Sequence, residues 1–334
     1  MNERYSKLSP LTVGLAGELT VELLIFFGVM KAKENAKLLG KAVDPNQITP
    51  LSVNDFMDFM KRHKGFQDID RYRFSILLLV KRMENEGLLT FAGNSHGYTM
   101  GGERCYYYTK ELTRVQSTNL IWLGEALGLE YVQHKAEPFV IPITGIEPRG
   151  NVGIGTGTLI NKNTILTCGH VLTGMELDKT IKIDDKDIEI DYCKPHDRMD
   201  VGIIRLAEEV DLGFSLPFGD AVILDEILTM GYPPVPMTRD CYLISQKGEV
   251  NSVVHNYDGV EHFVYSSITR PGNSGGPIFS RRGHIVGITT QHVEKENDKE
   301  KNVVPFFQGI TAREVKRGIH EIDPTIEVVF EDYS

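Results

Sequence analysis

One glycine-rich stretch, Thr269–Ile278, constrains the fold of this 334-residue chain more than any other. It places Ser274 inside a tight turn between two apolar runs that favour β-strands. Gly272, Gly275 and Gly276 permit backbone angles that residues with a Cβ resist. Such a turn can direct consecutive backbone N–H groups at one point, and a developing oxyanion requires donors placed in that way. The stretch therefore predicts a nucleophilic serine in a β-rich domain.

A serine hydroxyl is a poor nucleophile alone, so this hypothesis requires a histidine base and an orienting acid elsewhere in the chain. His170 lies in the segment Thr167–Val171, directly after an apolar run that favours strands. Asp200 stands at the start of a second apolar run that ends at Leu206. The three groups occur in the order His, Asp, Ser, which differs from the order in subtilisin-like and α/β-hydrolase enzymes.

The segments TCGHV, DVGIIRL and GNSGGPIF, in this order, resemble the trypsin-like serine proteases of the chymotrypsin fold, and within them the HtrA-type bacterial branch. The resemblance covers roughly residues 138–325 and implies a serine endopeptidase on an all-β double barrel. It implies catalytic roles for His170, Asp200 and Ser274, and an oxyanion hole formed by the backbone N–H groups of Gly272 and Ser274. Protein or peptide substrates follow, and no cofactor is implied.

The same resemblance places the primary substrate pocket near five residues: Ile268, Thr269, Ile288, Thr289 and Thr290. Because no aspartate stands at the base of this pocket, we expect a small or medium apolar residue before the cleaved bond. The charged loop His292–Asn302 is expected near the pocket, either as a substrate gate or as a solvated loop. His196 and Asp197 lie close to Asp200 and could suggest a metal site, but no further set of ligands joins them, so we expect no metal there.

The sequence predicts an α+β chain of two domains, residues 1–135 and residues 136–334. The first range carries 17 basic and 15 acidic residues, a net charge of +2. The second carries 19 and 31, a net charge of −12, which argues against general nucleic-acid binding by the whole chain. HtrA-type proteases commonly continue into a PDZ domain, and only a short tail follows here. We therefore expect regulation to come from the first domain or from a partner.

The first domain is predicted to run helix, helix, helix, hairpin, helix, an order that resembles a winged-helix domain without any sequence motif. A cap at Ser52 or Asn54 predicts a helix to Met60, and a cap at Asp70 predicts the helix in the recognition position. The other predicted elements are helical Ala16–Leu39, strands Leu88–Ala92 and Cys105–Lys110 around the loop Gly93–Glu103, and a helix Thr118–Leu127.

The helix Asp70–Glu86 presents two faces at helical spacing. Its core stripe contains Tyr72, Ile76, Leu79, Val80 and Met83, and its opposite face contains Arg71, Phe74, Ser75, Leu78, Lys81, Arg82 and Asn85. Basic residues suit phosphates, whereas Phe74 and Leu78 suit a protein surface. A solvated face, a protein partner and DNA are thus all open. We expect a protein partner or self-association, with DNA less favoured; the competing class is a protease-fold transcriptional regulator or adaptor.

The four cysteines show no CxxC or metal-type spacing, so we expect free thiols and a cytoplasmic location. The most apolar run, Leu19–Met30, is too short to span a membrane. No small-residue cleavage site follows that run, so we interpret it as a buried helix, with no membrane contact.

Overall fold

The structure, a computed structural model, describes residues 10–44, 46–98, 102–290 and 306–331. The chain forms two compact units. The first comprises the residues up to Thr113 together with Leu123–Tyr131, and the second comprises Arg114–Trp122 together with the residues from Val132 onward. No helix in the described ranges is both long and apolar enough to cross a membrane. The predicted domain boundary at residue 135 stays a prediction.

The α-helices among these residues are α1 (Val13–Phe27), α2 (Val29–Leu38), α3 (Val53–His63), α4 (Arg73–Asn85), α5 (Arg114–Thr118), α6 (Gly124–Leu127), α7 (Leu129–Ala136), α8 (Gly169–Thr173) and α9 (Ala312–Ile322). Short 3-10 turns occur at Ile69–Tyr72, Ile121–Leu123 and Glu137–Phe139.

The strands are β1 (Leu51–Ser52), β2 (Thr90–Tyr98), β3 (Arg104–Tyr107), β4 (Val140–Ile146), β5 (Val152–Asn161), β6 (Thr164–Thr167), β7 (Glu176–Leu177), β8 (Thr180–Ile183), β9 (Lys186–Pro195), β10 (Gly202–Leu206), β11 (Glu226–Gly231), β12 (Ile244–His255), β13 (Glu261–Tyr265), β14 (Pro277–Ser280), β15 (Ile285–Thr289) and β16 (Phe307–Thr311).

The first unit combines helices with a small antiparallel sheet of strand order β1-β3-β2. Ser52 caps α3 as predicted, because its hydroxyl accepts from the Asp55 N–H while the Asp55 carboxylate accepts from the Ser52 N–H. The core stripe of α4 is buried at Ile76, Leu79, Val80 and Met83. The winged-helix assignment stays a prediction.

Several predicted boundaries in this unit differ from the structure. Asp70 does not cap α4, because it lies within a 3-10 turn and pairs with Lys61 at 2.6 Å. The helical range Ala16–Leu39, predicted as one or two helices, forms two that meet at Gly28, whereas the last predicted helix is divided into α5, a 3-10 turn and α6. Strand β2 extends through much of the predicted loop. Long-range pairing, such as β2 with β3, therefore overrides local signals for loops.

The second unit contains a seven-stranded sheet of order β7-β4-β5-β6-β10-β9-β8 and a closed barrel of order β11-β12-β13-β16-β15-β14. This is the predicted trypsin-like arrangement, except that the first sheet stays open because β7 and β8 form its unpaired edges. The barrel core contains Ile227, Val250, Phe263, Tyr265, Ile278, Val286 and Phe307. Burying one large apolar side chain contributes roughly 1.5–3 kcal/mol to the folding free energy. Burial of these side chains therefore stabilises the barrel that carries the loops at its ends.

Candidate active site

Strand pairing brings His170 and Asp200 together. Strands β6 and β10 pair antiparallel with Thr167 opposite Gly202, so the end of one strand lies beside the start of the other. His170 follows β6 in α8, and Asp200 precedes β10. The His170 ring Nδ1 lies 2.9 Å and 2.8 Å from the two Asp200 carboxylate oxygens, and the His170 backbone N–H donates to Oδ1 at 2.9 Å. One carboxylate thus holds both the ring and the backbone of the histidine.

The electrostatics of Asp200 set the state of the histidine. Burial favours the neutral acid, but hydrogen bonds from the His170 ring and backbone and from the Thr290 hydroxyl outweigh it and lower the pKa of Asp200 to about 2. The carboxylate is therefore ionised at neutral pH and can only accept hydrogen bonds. Nδ1 of His170 must then carry a proton, which leaves Nε2 of the neutral ring free to act as a base.

Ser274 borders the same cavity as His170. The cavity has a volume of about 420 Å³ and is lined by residues of both β-structures of the second unit. No hydrogen bond joins the Ser274 hydroxyl to the His170 ring among the described residues. Such bonds are often long before substrate binds. The structure thus brings His170, Asp200 and Ser274 to one site, and their catalytic roles stay predictions.

The residues before Ser274 form a type II turn. Pro271 and Gly272 occupy its central positions, Gly272 has a φ of 97°, and the Asn273 N–H donates to the Arg270 carbonyl at 2.9 Å. A Cβ at position 272 would lie 2.7 Å from the carbonyl oxygen of Tyr232. Glycine is therefore required here by both the backbone angle and the close approach.

The backbone N–H groups of this segment alternate between bonded and unbonded. Those of Asn273 and Gly275 donate to the carbonyls of Arg270 and Thr289, at 2.9 and 2.8 Å. Those of Gly272 and Ser274 donate to no group among the described residues. These two are the N–H groups predicted to form an oxyanion hole, and their availability fits that role.

The structure places only part of the predicted substrate pocket at this cavity. Thr269, Thr289 and Thr290 line it. Ile288 is fully buried within the barrel, and Ile268 is 52% exposed but does not line the cavity. Successive side chains of a strand face opposite sides, so Ile288 and Thr289 of β15 cannot both border one cavity. The loop His292–Asn302 lies outside the described residues.

Sequence reasoning missed three contributions to the site. The Thr290 hydroxyl, predicted as pocket wall, also donates to Asp200. Glu147 lines the cavity beside His170, and nothing in its sequence context signals this. Thr156 of β5 hydrogen-bonds the segment around Ser274. Its only sequence signal was a glycine-rich run, Gly153–Gly157, which we interpret as a strand bend.

Cys168, His170 and Asp200 offer ligand atoms within 4.8 Å of one another, a spacing open to a metal ion. Cys168 is fully buried, its thiol donates to the Thr289 carbonyl at 3.2 Å, and burial and the Asp200 charge raise the pKa of the thiol well above its usual value. Metal ions bind the thiolate form, so a protonated, hydrogen-bonded thiol does not fit a metal centre. His196, the other histidine considered above as a metal ligand, has both ring nitrogens in hydrogen bonds. Its Nδ1 accepts from the backbone N–H groups of Arg198 and Met199, and its Nε2 lies 2.8 Å from a Glu321 carboxylate oxygen.

A histidine, an aspartate and a serine in this chain order, carried on an open sheet and a closed barrel, are the arrangement typical of trypsin-like serine peptidases. Residues 155–288 match the family model described as the trypsin-like peptidase domain.

Two curated relatives match part of the chain. The magnetosome formation protease MamE of Magnetospirillum gryphiswaldense is 30% identical over 147 residues, which are 41% of this chain and 18% of that protein. The putative serine protease HhoB of a Synechocystis species is 25% identical over 153 residues, which are 41% of this chain and 34% of that protein. The chain thus spans only 18% and 34% of the lengths of these two relatives.

Two solved structures are similar to part of the chain. The Rv3671c protease from M. tuberculosis in its active form has a TM-score of 0.48 at 20% identity, covering 59% of this chain and 86% of that one. A serine endoprotease from Yersinia pestis has a TM-score of 0.47 at 16% identity, covering 58% and 66%. Similarity at this level says nothing about substrate.

Proposed function

We propose that this protein is a serine endopeptidase that hydrolyses peptide bonds through an acyl-enzyme. The observation that carries the proposal is the convergence on one cavity of Ser274 and the His170 ring, which the ionised Asp200 orients. Gly272 lines the same cavity, and the N–H groups of Gly272 and Ser274 have no partner among the described residues. A nucleophile, a base with its orienting acid, and donors for an oxyanion are the parts that acyl transfer requires.

In this mechanism the Ser274 hydroxyl attacks the scissile carbonyl while Nε2 of His170 takes its proton. The carbonyl oxygen becomes an oxyanion that accepts hydrogen bonds from the N–H groups of Gly272 and Ser274. His170 then gives the proton to the leaving amine, and water repeats the sequence on the acyl-enzyme. Asp200 keeps its negative charge throughout and stabilises the imidazolium.

The preferred residue before the cleaved bond is proposed to be small or medium and apolar. The cavity walls at Thr269, Thr289 and Thr290 carry hydroxyl and methyl groups and no acid. Glu147 also lines the cavity, but the three threonine walls themselves offer no acid with which a positively charged side chain could pair. A peptide library in which Arg or Lys dominates before the cut would contradict this preference.

The direct test of activity compares wild type with Ser274→Ala on a mixed peptide library. We expect cleavage by wild type and none above background by the variant, with unchanged melting temperature. Thr173→Ala, at a hydroxyl that donates only within its own short helix at 3.3 Å, is a matched control expected to remain active. Cleavage that survives in Ser274→Ala would exclude Ser274 as the nucleophile.

We further propose that the first unit regulates limited proteolysis of a protein target by binding protein. The support is an exposed apolar surface, the α4 face (Phe74, Leu77 and Leu78), whose side chains are 65%, 47% and 49% exposed. The neighbouring basic residues are partly neutralised, since Arg71 pairs with Asp68 and Lys81 pairs with Glu84. An apolar face with paired charges suits a protein partner or a second copy better than DNA, which requires several free cations.

A cytoplasmic location is proposed on the state of the cysteines. All four are free, and Cys193 and Cys241 are exposed. Exposed thiols persist most readily in a reducing compartment. Fractionation of cells with the native protein tests this, and recovery of an oxidised, exported form would contradict it.

A further inference from the structure

Thr156 makes an unusual set of hydrogen bonds to the serine loop, defined here as Arg270–Gly276. The side chain is fully buried in β5, a strand of the open sheet, whereas the serine loop precedes β14 of the closed barrel. The Thr156 hydroxyl lies 2.7 Å from the Gly272 carbonyl oxygen, and the Thr156 N–H donates to the Ser274 carbonyl at 2.9 Å. One residue thus bonds both residues whose N–H groups are proposed to hold the oxyanion.

The polarity of the hydroxyl is fixed by its two partners. The Tyr232 backbone N–H lies 2.9 Å from the Thr156 hydroxyl oxygen and can only donate to it. The Gly272 carbonyl can only accept, so the single hydroxyl proton must point at that carbonyl. The Tyr232 N–H therefore fixes the direction in which the Thr156 hydroxyl donates, which is toward the Gly272 carbonyl of the serine loop.

These bonds complete a clamp on alternate peptide units. In the Gly272–Asn273 unit the carbonyl is held by Thr156 and the N–H by Arg270. In the Ser274–Gly275 unit the carbonyl is held by Thr156 and the N–H by Thr289. Because peptide units are planar, holding both ends fixes the plane of each unit. The N–H groups of Gly272 and Ser274 belong to the adjacent units, Pro271–Gly272 and Asn273–Ser274, which share an α-carbon with the held units.

The close packing of the loop on β5 supports the same conclusion. A Cβ at Gly275 would lie 2.3 Å from the Thr156 carbonyl oxygen, so the loop rests on the Thr156 backbone. The Thr167 hydroxyl donates to that same carbonyl at 2.7 Å and ties β5 to β6, the strand that precedes His170. The backbone of Thr156 is therefore linked to both the serine side and the histidine side of the site.

We propose that Thr156 is a positioning residue that holds the two oxyanion N–H groups in their working orientation. This inference rests on the proposed peptidase function and deepens it. Thr156 touches no reacting atom, and its effect passes through the peptide units that it bonds. Removing its hydroxyl should therefore weaken stabilisation of the transition state more than binding of the substrate.

The test uses the full-length protein with Thr156→Val, which keeps the shape and removes the hydroxyl. Removing one oxyanion donor costs on the order of 10²–10³ in kcat, so loosening two donors is expected to lower kcat by about 10- to 100-fold. KM should change by less than about threefold, because the hydroxyl contributes nothing to ground-state binding. Affinity for a peptide aldehyde, which forms an oxyanion on Ser274, should fall by the same factor as kcat/KM.

The chain offers a matched control two residues along β5. Thr158 is also fully buried, and its hydroxyl has no hydrogen-bond partner among the described residues. Thr158→Val should therefore leave kcat within about twofold of wild type. Thr156→Ser, which restores the hydroxyl, should recover most of the activity, and Thr156→Cys, with a weak thiol donor, should lie between Ser and Val. Equal kcat in Thr156→Ser and Thr156→Cys would overturn the inference even if Thr156→Val fails to fold.

A second readout needs no turnover. Amide hydrogen exchange at Asn273 and Gly275 should speed up on the order of tenfold in Thr156→Val and stay unchanged in Thr158→Val. Unchanged exchange together with unchanged kcat would overturn the role of Thr156 while leaving the peptidase intact. Failure of the proposed function is different, because the wild type itself would then form no aldehyde adduct on Ser274.

Discussion

The serine loop and the α4 face are opposite kinds of surface. In the serine loop, the Gly272 and Ser274 carbonyls and the Asn273 and Gly275 N–H groups are bonded to named partners. Gly272 and Ser274, whose own N–H groups have no partner among the described residues, line a cavity. The α4 face has large apolar side chains that lie open to solvent. Polar groups held in fixed positions can stabilise a transition state, whereas an exposed apolar surface is typical of a site that binds another protein. Changes on the α4 face should therefore leave the hydrolysis of small peptides intact.

The largest effect is expected for Asp200→Asn. The amide cannot hold the His170 ring in the same tautomer, so kcat should fall on the order of 10⁴-fold with the protein still folded. Asp197→Asn is the control, because Asp197 is exposed and lies three residues away. Steady-state kinetics on a peptide substrate measures both. A loss of tenfold or less in Asp200→Asn, with a larger loss in the control, would transfer the orienting role to Asp197.

Gly275→Ala tests how tightly the serine loop is packed. The new Cβ would meet a backbone oxygen at 2.3 Å, and Gly275 has a φ of 83°. Strain of about 1–2 kcal/mol from the backbone and 1–3 kcal/mol from overpacking should together lower the unfolding free energy by roughly 3 kcal/mol. Gly150→Ala has a similar φ of 81° with open space around the Cβ, so only the backbone strain should appear. Equal losses in urea unfolding would show that the loop is not tightly packed.

The pH dependence of stability follows from Asp200. Its folded-state pKa of about 2 lies below the unfolded value of about 3.9, so the stabilisation is complete above pH 4 and is lost as pH falls through 2. The shift corresponds to about 2 kcal/mol. Chemical unfolding at pH 5 and pH 2 should show wild type losing about this much more than Asp200→Asn. A wild type and variant with parallel pH profiles would show that Asp200 is not stabilised as a carboxylate.

The smallest effect on chemistry is expected at the α4 face. Phe74→Ser with Leu78→Ser should change oligomeric state or turnover of a protein substrate, while hydrolysis of a small peptide stays within twofold. Ile223→Ser with Leu224→Ser is a control pair of exposed apolar residues in the second unit. Sedimentation and peptide kinetics measure the two properties. Specific duplex binding at physiological salt that disappears when Arg71, Lys81 and Arg82 become alanine would instead make the first unit a DNA reader.

The candidate catalytic residues were easier to predict from the sequence than the hydrogen bonds that position them, because they stand in local motifs. His170, Asp200 and Ser274 stand in short segments whose chemistry is legible in the sequence alone. The bond from Thr156 to Gly272 joins residues 116 apart, and only the paired strands and the loop packing create it. The family resemblance placed Ile288 at the pocket together with Thr289. In the structure Ile288 is buried in the barrel, because neighbouring side chains of β15 face opposite sides.

The first unit shows the same limit at element ends. The apolar stripe of α4 was predictable from its spacing, since a helix buries residues at i, i+3 and i+4. The residue at which α4 begins was not predictable, because Asp70 forms an ion pair with Lys61 and does not cap the helix. A carboxylate three residues before a helix can serve either purpose, and tertiary contacts decide which.

The most direct test of the account is to locate the covalent adduct formed by a fluorophosphonate probe. Mass spectrometry of the labelled wild type should place the adduct on Ser274, because only an activated hydroxyl beside a base attacks the probe. Ser274→Ala should take up no label, and His170→Ala should label far more slowly. An adduct on another residue, or labelling that persists in Ser274→Ala, would contradict the assignment of this cavity as the active site.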